Sequence, residues 1–218
     1  MAFTPSVETT GNSAGATSLA CNVPSNVNGS ILFLLIGLNN ASGYVPNSGL
    51  SGIWTELAKY EDNADKYYLY YRIAASEPAS YTIGFSGTTK IRLTMSCYTA
   101  GDWNVNSGVS DFTISNTSYR TSDSNIIAAG INVPYAKSPI VYFGSLYNTG
   151  NGTFTPPSTI GSDSWIDDYD NRNSTSDFLI QIAYVIWQGS GASGNVTAVS
   201  TLTSQTTKHA KPWYFTHI

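Results

Sequence analysis

Apolar residues in this chain come in short runs divided by Asn, Ser, Thr and Gly, and no segment keeps an apolar period of 3.6 residues. The solid run Ile31-Leu32-Phe33-Leu34-Leu35-Ile36 follows the turn pair Asn28-Gly29 and predicts a buried strand from Ser30 to Leu38. Alternating or β-branched stretches predict further strands at Ser6 to Thr10, Thr17 to Val23, Ile53 to Tyr60, Lys66 to Ala74, Tyr81 to Ser86 and Ile91 to Tyr98. The first two would be joined by a turn at Gly11-Asn12-Ser13. In the second half the predicted strands are Ile126 to Val133, Ile140 to Leu146, Ser164 to Asp168, Asp177 to Trp187 and Asn195 to Thr203. Period-two counting along the tyrosine-rich strand puts Tyr67, Leu69, Tyr71 and Ile73 on one face, the expected core side. Tyr68, Tyr70 and Arg72 fall on the other.

The two halves follow one order. Asn22-Val23-Pro24, the apolar run from Ile31, Pro46, Trp54, an acidic loop and the run Tyr67 to Ile73 match a later series. That series is Asn132-Val133-Pro134, Ile140 to Phe143, Pro156, Trp165, an acidic loop and Phe178 to Trp187. Repeated strand-rich units predict an all-β protein, an antiparallel β-sandwich of jelly-roll-like form. The pseudo-repeats span about 16–100 and 126–215 and share one domain and one core. Residues 101–121 depart from the repeat and read as an irregular insertion. Trp54, Trp165, Tyr71 and Trp187 are core candidates.

Charged residues make up 11% of the chain, well below the usual ~25%, with Ser, Thr, Asn and Gly in their place. The net charge is −4, with no basic stripe, so duplex nucleic acid is not an expected partner. The longest apolar run is too short to span a membrane, and the first residues carry no signal-peptide pattern. Synthesis in a cytoplasm, without export by an ordinary signal, is therefore expected. Cys21 and Cys97 lie in strand-like runs and read as free buried thiols rather than a disulfide.

Catalytic chemistry finds little support. Nucleophilic catalysis needs a base beside a Ser or Cys, and the only histidines are His209 and His217 in the tail. The acidic groups Glu61-Asp62 and Asp163, Asp167, Asp168 and Asp170 fall at expected turns and read as solvated; a calcium site at the second group is the sharper alternative. No cofactor is expected. The one enriched chemistry is aromatic, at 13%. Phe3, Trp103, Trp213, Tyr214 and Phe215 lie outside the repeated strands, which makes them interface candidates, because Tyr and Trp join a large contact area to a polar tip.

From Tyr70 the chain reads Tyr-Tyr-Arg-Ile-Ala-Ala-Ser-Glu-Pro-Ala-Ser-Tyr-Thr, ending at Thr82. With the preceding Asn-Val-Pro, apolar strand, Pro-containing loop and Trp, this resembles the β-sandwich structural domains of tailed bacteriophages and prophages. The resemblance covers about residues 16–203. It implies a non-enzymatic virion protein, a capsid decoration (cement) protein or small tail appendage, that binds major capsid or tail subunits, forms a homo-oligomer and is localised to the virion. The alternative is a carbohydrate- or receptor-binding module of the kind found at a fibre or adhesin tip.

Overall fold

The computed structural model describes residues 6–24, 29–39, 44–61, 65–98, 112–115, 119–121, 125–147, 154–155, 157, 159–173, 178–200, 208–210 and 213–217. The chain divides into two compact units, Met1–Val109 and Ser110–Ile218. The first contains β1 (Ser6–Asn22), β2 (Ile31–Asn39), β3 (Pro46–Ser48), β4 (Thr55–Glu61), β5 (Asp65–Ile73) and β6 (Ser80–Tyr98). The second opens with β7 (Phe112–Ile114), β8 (Tyr119–Thr121), β9 (Asn125–Ala128), β10 (Asn132–Val133), β11 (Ser138–Tyr147), β12 (Phe154–Thr155) and β13 (Thr159–Ile160). It closes with β14 (Asp163–Ser164), β15 (Ile166–Asn173), β16 (Phe178–Trp187), β17 (Gly191–Ala192), β18 (Val196–Ser200), β19 (Lys208–Ala210) and β20 (Trp213–His217). The described secondary structure is all-β and its strand pairs are antiparallel, as the alternation in the sequence predicts.

In the first unit the strand order is β4-β5-β2-β6-β1, with β3 also on β6. The apolar run from Ile31 makes β2 the central strand, with every residue buried. Strands β1 and β6 are each long enough to serve two regions. Residues 6–12 of β1 oppose 91–97 of β6, the part that also pairs with β2. After register shifts between Asn12 and Ala16 and between Ala16 and Ser18, Ser18–Asn22 oppose Gly84–Ser80. Strand β3 joins the other side of that second arm, at Phe85 and Gly84. A bulge bends the strand that carries it. The expected turn at Gly11-Asn12-Ser13, and the expected break between Ser86 and Ile91, are thus corrected. Both stretches stay in strand as β1 and β6 keep pairing through them, Gly11 with Arg92, Asn12 with Ile91 and Ala16 with Thr89.

One buried cluster gathers side chains of both arms: Leu34, Ile36, Leu93 and Met95 from the central strands with Ile83 and Phe85 from the second arm. Tyr68 and Tyr70 belong to this cluster too. The face assigned by period-two counting is therefore corrected. Tyr67, Leu69 and Tyr71 are buried as expected, but so are Tyr68 and Tyr70, while Ile73 is 40% exposed. Alternation distinguishes an inner from an outer face only when one of them meets water, and β5 is buried on both.

The second unit repeats the scheme. Its order β15-β16-β11 continues into β19 and β20, which are flanked by β8 and β7, and in place of a continuous second arm a separate three-stranded sheet runs β12-β18-β9. Registers correspond closely. Thr55 opposes Tyr71 and Glu56 opposes Tyr70; one residue is then skipped, and Ala58 opposes Leu69. In the second unit Ile166 opposes Tyr184 and Asp167 opposes Ala183; one is skipped, and Tyr169 opposes Ile182. Trp54 and Trp165 each directly precede these strands, and both are buried. The repeat in the sequence predicts one core shared by strands of both halves. Each unit holds a buried cluster of its own residues, the second built on Val133, Ile140, Tyr142, Trp165, Val185 and Val196.

Four further expectations change. Part of the stretch 101–121, read as irregular, supplies β7 and β8. The acidic group expected at a turn lies largely in strand: Asp167 and Asp168, which also fall in the predicted strand Ser164 to Asp168, and Asp170 beyond it all belong to β15. The tail, read as lying outside the strands, forms β19 and β20, and β20 pairs with both β11 and β7. The single predicted strand Ile126 to Val133 is split into β9 and β10 around Gly130, where an added Cβ would stand 2.7 Å from the backbone of Gly194.

Deleting residues 213–217 removes a strand from the interior of its sheet. Each net ladder bond lost costs about 0.5–1.5 kcal/mol, against a total stability of about 5–15 kcal/mol. The truncated chain is expected to show a clearly lower urea midpoint than the full chain. An unchanged midpoint would contradict the β20 pairing.

Candidate functional site

The turn from β5 to β6 is built from residues of the run Tyr70 to Thr82. Arg72, near the end of β5, sends one guanidinium nitrogen to Glu77 at 3.0 Å and another to the Tyr81 hydroxyl at 2.8 Å. Tyr81 in turn donates to the second carboxylate oxygen of Glu77. Glu77 also accepts from the backbone N–H of Ala75 at 2.8 Å, and its side chain is only 2% exposed. The ring of Tyr81 meets that of Trp54 edge to face at 5.3 Å, and the Arg72 guanidinium stands 5.8 Å from the Trp54 ring centroid and 5.5 Å from that of Tyr81. Backbone bonds complete the clasp: Ala74 donates to Ser30, Gly29 to Ala74, and Val23 to Ala79. Ser76 takes a φ of 55°, a left-handed turn conformation uncommon for a residue with a side chain.

Trp54 also lines a depression of about 270 Å³, with Pro46, Asn47, Ser48, Leu50, Ser51, Glu56 and Tyr70. Its walls are set by close backbone contacts. Gly49 has a φ of 80°, and a Cβ there would stand 2.2 Å from the carbonyl oxygen of Thr82. The N–H groups of Ile53 and Trp54 both donate to the Leu50 carbonyl. Leu50, Trp54 and Tyr70 are buried, whereas Asn47, Ser48, Ser51 and Glu56 are exposed. The result is an apolar floor under a rim of amide, hydroxyl and carboxylate groups. Among the described residues the buried indole N–H of Trp54 has no acceptor.

Two tyrosines of β5 reach across to the edge strand β4. Tyr68 donates to Glu61 at 2.5 Å, and Tyr70 donates to Glu56 at 3.3 Å; the two rings are stacked with centroids 6.3 Å apart. Burial, followed by the neighbouring carboxylates, raises both phenols well above the usual tyrosine range. Tyr81 is pushed up to about 12, mainly by burial and then by its bond to Glu77, with Arg72 opposing. Tyr142, fully buried in the second unit, is raised by burial alone.

Of the residues singled out in the sequence, Phe3 and Trp103 lie outside the described residues. Trp213, Tyr214 and Phe215 stand in β20 opposite Phe143, Tyr142 and Val141. His209 lies in β19 and His217 in β20. Cys21 and Cys97 are buried and unbridged, as expected, and burial pushes the Cys97 thiol up. Asp163 accepts from the backbone N–H of Gln188 at 2.8 Å. Among the described residues no group of three or more His, Cys, Asp or Glu side chains is placed to hold a metal. The sequence reading missed the rim residues Asn47, Ser48, Ser51 and Glu56. The only signal for the first three was an Asn/Ser/Gly-rich stretch between Pro46 and Trp54, and that composition marks a loop whether or not it lines a site.

No family model matches the chain, and no curated protein does. Among solved structures, the zebrafish (Danio rerio) Fcho1 Mu homology domain with bound Eps15 peptide aligns with 99% of this chain and 78% of its own, at 8% identity and a TM-score of 0.16. A likeness at that level carries no argument about fold or role.

Two outcomes test the clasp. Arg72→Ala leaves a nearly covered Glu77 carboxylate without its cation, and a hydrogen bond to a charged group is worth about 1.5–3 kcal/mol. A loss of that order in urea denaturation is expected, and a loss near zero would make the clasp incidental. The second outcome concerns alkaline pH. Unfolded tyrosine ionises near ~10, so above that pH the unfolded chain releases protons that the folded chain keeps on Tyr68, Tyr70 and Tyr81. Stability should be full below pH ~10 and fall as pH rises through about 12, and Tyr81→Phe should make that fall shallower. An identical slope in the two proteins would show that Tyr81 is not held protonated.

Proposed function

We propose that this chain is a non-enzymatic structural protein of a tailed-bacteriophage virion, a capsid decoration (cement) protein or small tail appendage that acts by binding neighbouring capsid or tail subunits and its own copies. The observation that carries the reading is the use made of the motif from Tyr71 to Thr82. Its ionic and phenolic groups face one another and lock a turn. The family resemblance rests on these same residues, and a turn lock is what a scaffold has reason to keep. Glu56, Glu61 and Glu77 each accept a tyrosine hydroxyl, which supports a structural use of the carboxylates over proton transfer to a substrate.

The finer architecture we propose is a jelly-roll-like β-sandwich. In the first unit one layer would be the sheet centred on β2, and the other the arm of β3 with the bent parts of β6 and β1. The mixed membership of the buried cluster supports this. Within the assembly, Phe3, Trp103 and the aromatic tail remain our interface candidates. A second reading, a carbohydrate- or receptor-binding module, is favoured by the amphipathic depression beside Trp54.

Immunogold labelling of purified virions from the source lysate tests the main reading. Regular decoration of the capsid or tail surface is expected, with the free chain sedimenting as an oligomer. A chain confined to the soluble fraction of the lysate would overturn it.

A further inference from the structure

Sugars present two kinds of surface: a patch of C–H groups on one ring face and hydroxyls around the edge. A site for one sugar residue therefore needs an apolar floor beside a rim of groups that both donate and accept. The depression beside Trp54 has that division. Its floor is formed by buried Trp54 and Tyr70, and its rim by exposed Asn47, Ser48, Ser51 and Glu56. Its volume of about 270 Å³ lies just below the ~300–1,000 Å³ typical of sites for drug-sized ligands, so it suits one small ring rather than a longer ligand.

Charge narrows the ligand further. Among the described residues Glu56 is the one ionisable carboxylate in the lining, and none of those lining the depression is a lysine or arginine. The nearby Arg72 is occupied by Glu77 and Tyr81. An anionic ligand would thus face a carboxylate with no compensating cation. A divalent cation is poorly served too, because calcium takes about 6–8 oxygen ligands, usually with several carboxylates among them. A neutral polyol meets neither objection. Glu56 holds Tyr70 only through a 3.3 Å bond on one oxygen, which leaves strong acceptor capacity for a hydroxyl. The site is also preformed: Gly84 leaves no room for a Cβ, which would stand 2.2 Å from Ser48 Oγ, and Gly49 is pressed onto Thr82. Little ordering is then left for the ligand to impose.

We infer that this depression is a binding subsite for a single neutral sugar residue, seated on Trp54 and Tyr70 and hydrogen-bonded by Asn47 and Glu56. This deepens the second reading above and rests on it. The buried indole N–H of Trp54 lacks an acceptor among the described residues, so a ligand oxygen that reached it would gain a bond the protein alone does not make.

The test is a titration of the isotope-labelled full chain, followed by NMR, with neutral methyl glycosides of glucose, galactose, mannose and N-acetylglucosamine, and with N-acetyl-lysine amide as a cationic comparison. At least one glycoside is expected to shift signals from residues 46–56 with a low-millimolar Kd. Glu56→Gln and Asn47→Ala should each weaken that binding about tenfold, the scale of one lost strong hydrogen bond. Both changes fall on exposed side chains, and an unchanged far-UV spectrum checks that the variants fold. Glycoside binding that ignores both substitutions overturns the subsite and leaves a sugar-binding reading alive elsewhere on the chain. If no glycoside binds, the subsite and the sugar-binding reading both fall, and the assembly role is untouched. A response to the lysine amide alone overturns the sugar assignment.

Discussion

A strand with no exposed residue must have its backbone paired along both edges, because a buried N–H or C=O left unpaired costs as much as a lost hydrogen bond. Strand β2 is such a strand, buried at each of its nine positions. Its demand for two partners is met by β5 on one side and β6 on the other over its full length. Most of the first unit follows. Strand β5 must run antiparallel beside β2, which places Tyr68 and Tyr70 where β4 can reach them. Strand β6 also extends past β2, where it pairs with the later part of β1 and with β3, and this makes the second arm. The turn between β5 and β6 then brings Arg72, Glu77 and Tyr81 together beside Trp54. In the second unit β11 has the same position, between β16 on one side and β19 and β20 on the other.

The features legible in the sequence were those set by local composition. The apolar run from Ile31, the tyrosine strand and the burial of Trp54, Trp165, Tyr71 and Trp187 could all be read directly. So could the parallel order of the halves, and it extends to the register, since Trp54 and Trp165 precede matching strands. What escaped depends on partners far along the chain. Gly11-Asn12-Ser13 has turn chemistry, yet residues 11 and 12 keep pairing with Arg92 and Ile91 because the facing strand also continues. Trp213 to His217 looks like an appended aromatic tail, and only the free edge of β11 makes it a strand. The Glu56 and Glu61 contacts to tyrosine were hidden for a similar reason. They run across strands, and the choice of which tyrosine faces which glutamate depends on a one-residue irregularity in β4.

With so few charges available, this chain sets its carboxylates against phenols. Glu56, Glu61 and Glu77 are each engaged by a tyrosine of β5 or β6. A phenol can bury its ring and still present a donor at its tip. Tyrosine thus serves two purposes: the rings of Tyr68 and Tyr70 fill the cluster while their hydroxyls tie the edge strand β4 to the sheet, and the Tyr81 hydroxyl of β6 ties the turn.

The skipped residue in β4 recurs at the matching place in β15. Among the described residues both strands stand at the end of their sheet's order, and an edge strand presents a row of backbone N–H and C=O groups to which an extended segment can pair. A bulge there twists the ladder and breaks the even spacing that such a segment would need. On these two edges, growth by end-to-end sheet extension, the route to fibres, meets a built-in fault. For a protein packed among its own copies, the role we propose for this chain, such a fault is an advantage. Contacts between copies are steered away from main-chain zippering and towards side chains, where the sequence, rather than the generic backbone, selects the neighbour.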